Sequence, residues 1–128
     1  MKNIKYYQYY LTFVLVACSG AIIWQLFIPQ IALSGTSWGV ALGWQKEIAL
    51  WNVALVSAII YSFIKKEKSY YKILTIQSTI LFIVLGLNHT WSFFENLPNI
   101  FFIHLAGIFE ILLLGGGWGI YALVKSKD

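Results

Sequence analysis

Four apolar stretches occupy most of this chain, and the joints between them are only a few residues long. They run from about Tyr9 to Ile31, Gly43 to Ile64, Tyr70 to Trp91 and Pro98 to Val124. A helix needs about 20 such residues to cross ~30 Å of hydrocarbon. None of the stretches alternates with a period of two, and an open sheet cannot satisfy its edges in lipid, so the pattern argues for helices. Only 11% of the residues are charged, against about 25% in a soluble domain, which is too few to cover a water-facing surface. The expected fold is all-α: an antiparallel up-down-up-down four-helix transmembrane bundle, one domain over residues 1–128. Short joints make consecutive helices antiparallel neighbours. The two halves show no convincing internal repeat.

The lysines set the expected direction. Lys2 and Lys5 precede the first stretch, Lys65, Lys66, Lys68 and Lys72 flank the second joint, and Lys125 and Lys127 follow the fourth stretch. The first and third joints contain no lysine. Positive charge gathers on the cytoplasmic side, so both termini are expected there and the protein in the cell membrane. This placement explains the net charge of +4 without a nucleic-acid partner. The chain has no arginine, so bidentate phosphate clamps are excluded. The single cysteine, Cys18, excludes an intrachain disulfide. Leu15-Val16-Ala17-Cys18 resembles a lipoprotein cleavage box, but apolar sequence continues through Phe27-Ile28, and the N-terminus is expected to remain as the first span. Tyr6, Tyr7, Tyr9, Tyr10, Tyr70 and Tyr71 fall at the expected inner interface, and Trp24, Trp38, Trp44 and Trp91 toward the outer one.

Polar side chains inside the stretches concentrate on the expected outer side: Gln25, Gln30, Gln45, Lys46, Glu47, Asn52, Asn88, His89 and His104. Glu110 falls about 18 Å along the fourth helix from Pro98, near the midplane. A carboxylate there costs about 2.5–3.5 kcal/mol and is usually turned inward and partnered. Gln45 and Asn52 are seven apart and share a helix face. Gln77, Leu81, Val84 and Asn88 form a similar stripe. In α-helical geometry His104 and Glu110 lie about 120° apart, with Gly107 between them opening room for a neighbouring backbone. Lys46 is expected to snorkel to the surface and Glu47 to face the bundle. His89 closes the third stretch and His104 starts the fourth, so the two rings can approach. Such a pair admits a bis-histidine haem, a metal shared with Glu47 or Glu110, or proton relay. No His-x-x-x-His or Glu-x-x-His spacing is present, and the expectation is no cofactor.

Gly35, Gly39 and Gly43 repeat every four residues, as do Gly115 and Gly119, and residues 17–21 are small throughout. Small-xxx-small seams let helices approach closely, within one chain or between chains. They leave open a homo-oligomer or docking to a larger membrane complex. No phosphate loop, nucleophile elbow or redox cysteine pair is present.

The second stretch opens with Gly43-Trp44, then Gln45-Lys46-Glu47-Ile48 and Asn52; the third ends with Gly86 and His89, and Asn96 and Pro98 follow. Over about residues 35–100 this resembles a family of small uncharacterised bacterial four-helix integral membrane proteins. That family carries Gly-Trp, Gln-x-Glu-Val, Asn and a Gly-x-x-His ending in this order. The resemblance implies a bacterial inner-membrane protein with Gln45, Glu47, Asn52 and His89 as a set, and no activity. The few residues that family usually places between Trp and Gln are missing between Trp44 and Gln45, and the loop after Pro98 lacks its Gly-Asn.

Three functions follow as expectations. The first is a binding or transport module whose outward-facing polar pocket takes a small polar or amphiphilic ligand, a cation or protons. Gln45, Glu47, Asn52, Asn88, His89, His104 and Glu110 would line that pocket. The second is a small enzyme acting on a lipid or isoprenoid through a histidine and a carboxylate. The third is an accessory subunit of a larger membrane complex.

Overall fold

A computed structural model describes residues 3–126, and every regular element in it is a helix. Helix α1 spans Ile4–Phe27, a short α2 spans Ile31–Gly35, α3 spans Leu42–Lys65 and α4 spans Lys68–Glu95. The last long helix is composite. It begins as α5 (Phe102–Ala106), continues as a π-helical stretch (Gly107–Trp118) and closes as α6 (Gly119–Lys125). Four helices are therefore long and apolar enough to cross a membrane. Their outer surfaces agree: Val16, Ile60, Ile73, Leu113 and many other large apolar side chains are exposed along them. Water would penalise so continuous an apolar surface.

Two boundaries differ from the sequence expectation. The first apolar stretch breaks at Ile28, because Pro29 has no N–H to donate and its ring disfavours helical geometry in the residue before it. Ile28 accordingly leaves helical geometry at φ −133° and ψ 50°. The residues beyond it fold back as α2. The fourth stretch begins at Phe102 rather than Pro98, after a turn through Asn96 and Pro98. Between α3 and α4, Lys66 adopts the left-handed conformation that ends helices, at φ 57°.

Helices α1 and α4 lie against each other, and each also packs on α3 and on the composite helix, which packs chiefly on α4. The close-packed core occupies the end of the assembly that holds both chain ends. Tyr7, Tyr10, Leu11 and Val14 of α1 meet Leu55 and Ile59 of α3, Tyr71 and Leu74 of α4, and Ala122 of α6. Ser126 Oγ donates to the Asn3 carbonyl at 2.8 Å and Gln8 Nε2 to Tyr71 Oη at 3.3 Å. Tyr7, Tyr10 and Tyr71 are thus core residues rather than members of an interfacial belt. Tyr10 keeps its hydroxyl satisfied by donating to the Gly115 carbonyl at 2.9 Å. Thr12, Ser57 and Thr79 bond to their own helices at Gln8, Val53 and Thr75, while Thr75 Oγ1 and Ser78 Oγ are buried without a partner.

The seam between α4 and the composite helix is built on glycines. Gly107 abuts the ring of His89, Gly115 the ring of Phe82 and Gly119 the Thr79 side chain, and Gly86 of α4 receives Leu112. Ten residues of α4, from Thr79 to His89, rise about 15 Å. The facing helix needs twelve to cover that distance, about 1.25 Å each, which is the shortening expected of i→i+5 bonding. The α-helical wheel drawn from sequence therefore misplaces this segment. Gly107 makes room for the His89 ring rather than for a backbone. A Cβ added at Gly20, Gly39, Gly43 or Gly117 would meet nothing within 4 Å, so the Gly35/Gly39/Gly43 repeat does not form one internal seam.

Candidate functional site

Toward the other end of the assembly the same helices part around a cavity of about 520 Å³. The reason is local. Ala17 and Ala21 of α1, Ala32 of α2, Ala41 before α3, and Ala106 and Gly107 of the composite helix all line it. Their short side chains leave a gap where tyrosines fill the other half. The expected tight contact at residues 17–21 is, in the structure, part of the cavity wall.

Of the residues singled out from sequence, Gln45, Asn52, Asn88, His89 and Glu110 line the cavity. The seven-residue spacing of Gln45 and Asn52 puts both on its α3 wall. Leu81 and Asn88 contribute from α4, while Gln77 and Val84 of the same stripe are exposed. Glu47 is exposed beside Lys46 and is absent from the lining, because α3 turns Gln45 and Ala49 inward at that level. His104 is fully buried but stands behind His89, away from the cavity. Glu110 lines the cavity yet is exposed, and it has no hydrogen-bond or ion-pair partner among the described residues. The expectation of a partnered carboxyl is corrected here: neither imidazole nor any lysine reaches it.

The two histidines meet. Their Nδ1 atoms are 3.1 Å apart, and the ring of Trp38 lies 4.9 Å from His89 and 4.6 Å from His104, centroid to centroid. Ser37 N–H donates to His104 Nε2 at 3.0 Å, with Ser37 Oγ at 2.9 Å from the same nitrogen. A backbone N–H can only donate, so that nitrogen carries no proton. The His104 proton is then on Nδ1 and is given to His89 Nδ1, which leaves the His89 proton on Nε2. Trp38 Nε1 in turn donates to Ser92 Oγ at 3.1 Å. The loop between α2 and α3 is thereby tied to α4 and α5, and its Thr36, Trp38 and Gly39 form part of the cavity wall.

This geometry narrows the chemistry. A haem iron would hold the two imidazoles on opposite faces of a porphyrin, whereas these rings bond directly to each other under Trp38. No group of three His, Cys, Asp or Glu side chains among the described residues is placed to hold a metal ion. Among the described residues neither histidine is hydrogen-bonded to a carboxylate; their partners are each other and Ser37.

Three participants were not assigned to the site from sequence. Ser37 and Trp38 sit in a joint, where nothing in the local pattern announces a long-range contact. Gln25 did carry a signal, a carboxamide within the first apolar stretch. It is 8% exposed, lines the cavity, and its Oε1 has no partner. Gln45 is 7% exposed; its Nε2 donates to the Pro29 carbonyl at 3.2 Å, while its Oε1 has no partner. Since a carbonyl can only accept, the Gln45 carboxamide is oriented with its oxygen as the spare group. The chain matches no protein-family model, no curated protein and no solved structure.

Proposed function

We propose that this protein is a binding or transport module of the cell membrane. In this reading an intramembrane pocket, open toward the outside, takes a small polar or amphiphilic ligand. The observation that carries it is the cavity itself. Its volume of about 520 Å³ falls in the range of ~300–1,000 Å³ typical of small-molecule sites. Its wall is mainly apolar, with a few polar groups drawn from all four long helices, as ligand sites require.

The helices are read as an antiparallel up-down-up-down bundle with both termini cytoplasmic. In support, the contacts of α4 with the composite helix run in opposite order, His89 with Gly107 and Thr79 with Gly119. The Ser126–Asn3 bond brings the chain ends together. Lys5, Lys65, Lys66, Lys68, Lys72 and Lys125 cluster at that end, while Lys2 and Lys127 lie outside the described residues. The cavity is at the lysine-poor end, which the positive-inside rule assigns to the exterior. The motif likeness to small bacterial four-helix membrane proteins is compatible with this and adds no activity.

The test is thiol accessibility in intact cells, in a Cys18→Ala background. A membrane-impermeant maleimide added outside should label Asn52→Cys in the cavity and spare Lys66→Cys in the α3–α4 joint until the cells are permeabilised. Labelling of Lys66→Cys from outside would reverse the topology. Failure to label Asn52→Cys from outside in a protein that inserts normally would remove the open pocket.

A further inference from the structure

We infer that the ligand of this cavity is a small organic ammonium, a protonated amine carrying an apolar body; this rests on the pocket reading above and specifies its substrate class. Glu110 is the one acidic residue in the wall, and no lysine lines it. The carboxylate has no internal counter-charge, so an incoming monocation is the group that complements it.

The neutral polar groups point the same way. Gln25 and Gln45 are each more than nine-tenths buried, and each has a carboxamide oxygen without a partner. Glu110 and the two spare carboxamide oxygens are acceptors that a ligand donating N–H bonds would satisfy. A bare metal ion would find few oxygens and much hydrocarbon. A quaternary ammonium would satisfy the charge and leave the carboxamides unmatched. The rest of the lining selects the body of the ligand. Phe13, Trp24, Trp38, Trp44 and Phe82 present aromatic surface around the space. Such rings attract a desolvated cation by their faces and accept an aryl or alkyl body by contact. A proton or an alkali ion would use little of this surface or of the volume.

The probe is 2-phenylethylammonium, with 2-phenylethanol as its neutral counterpart and 2-phenylethyltrimethylammonium as its permanently charged one. Binding to the full chain in nanodiscs is read by tryptophan fluorescence and calorimetry. The ammonium should bind at least tenfold more tightly than either analogue. Glu110→Gln should remove that preference for the ammonium over the alcohol, while the variant elutes and unfolds like the parent. Gln45→Leu should narrow the gap between the primary and the quaternary ammonium. Equal binding of ammonium and alcohol, unaltered by Glu110→Gln, would overturn the cation assignment and leave the pocket reading intact. Equal binding of the two ammonium ions would overturn the assignment of an N–H donor. Should none of the three bind while Asn52→Cys is still labelled from outside, this inference falls and the pocket reading stands.

Discussion

Alanine at position 86 gives the sharpest test of how the helices are held apart. Gly86 is in mid-α4, where a Cβ would lie 2.5 Å from Leu112 Cβ, 2.7 Å from Leu112 Cα and 2.8 Å from Leu112 N. Carbon atoms in good contact are ~3.5–4.0 Å apart, so the two helices must separate by roughly 1 Å to admit the methyl group. Two of the three atoms belong to backbone, so no rotamer change relieves the clash. Overpacking of this kind costs about 1–3 kcal/mol. Alanine returns at most about 1 kcal/mol in helix propensity. Gly86→Ala should therefore lower stability by up to about 2 kcal/mol net. The matched control is Gly20→Ala in α1, where nothing lies within 4 Å. There only the propensity gain applies, and the variant should be neutral or up to about 1 kcal/mol more stable. The assay is reversible unfolding in mixed micelles, with rising denaturing detergent followed by circular dichroism. The informative quantity is the difference between the two variants, about 1–3 kcal/mol, which isolates the packing cost. Equal stabilities for Gly86→Ala and Gly20→Ala would show that the glycine seam does not set the helix spacing, and the placement of His89 against Gly107 would lose its basis.

Tyr10→Phe removes the hydroxyl that donates to the Gly115 carbonyl at 2.9 Å and should cost about 0.5–1.5 kcal/mol in the same unfolding assay; no loss would mean that the π-helical stretch does not depend on this bond. His104→Ala deprives the Ser37 N–H of its acceptor and leaves buried His89 Nδ1 unpartnered, a penalty of about 1–3 kcal/mol. The loop over residues 36–41 should loosen, measured as faster amide hydrogen exchange at Ser37, and unchanged exchange there would refute the role given to the imidazole pair.

The four long helices were legible because lipid as solvent imposes one strong rule, a run of apolar residues as long as the hydrocarbon is thick. The break at Pro29 went unread, since α2 beyond it is also apolar and reads as more of the same span. Residues of α3 were placed well by helical spacing, as Gln45 and Asn52 show, because α3 is regular. Spacing failed on the composite helix. Residues 107–118 contain glycines and large apolar side chains that are equally at home in an α-helix, and only their packing on α4 explains the wider turn. Glu47 was misassigned for a different reason: at a helix end, one residue in sequence is about 100° of rotation. Its two-residue step from Gln45 is therefore about 200°, which turns it to the opposite side of α3.

The cavity arises from two independent properties of the sequence that happen to coincide in space. One is volume. Phe82 and the tyrosines of α1 and α4 close the half of the assembly near the chain ends, whereas alanines at 17, 21, 32, 41 and 106 leave the other half unfilled. In a membrane, a gap lined only by such residues would be taken by lipid chains, which are as apolar as the wall. The other property is polarity, and it decides against that outcome. Gln25, Gln45, Asn52, Asn88, His89 and Glu110 share the same gap. An acyl chain placed there would leave buried carboxamide oxygens and a carboxylate facing hydrocarbon, the arrangement that costs most in a low-dielectric setting. What fills the space must therefore bring polar groups of its own. The small side chains make the room, and the hydrophilic ones determine that a lipid tail is the wrong occupant for it.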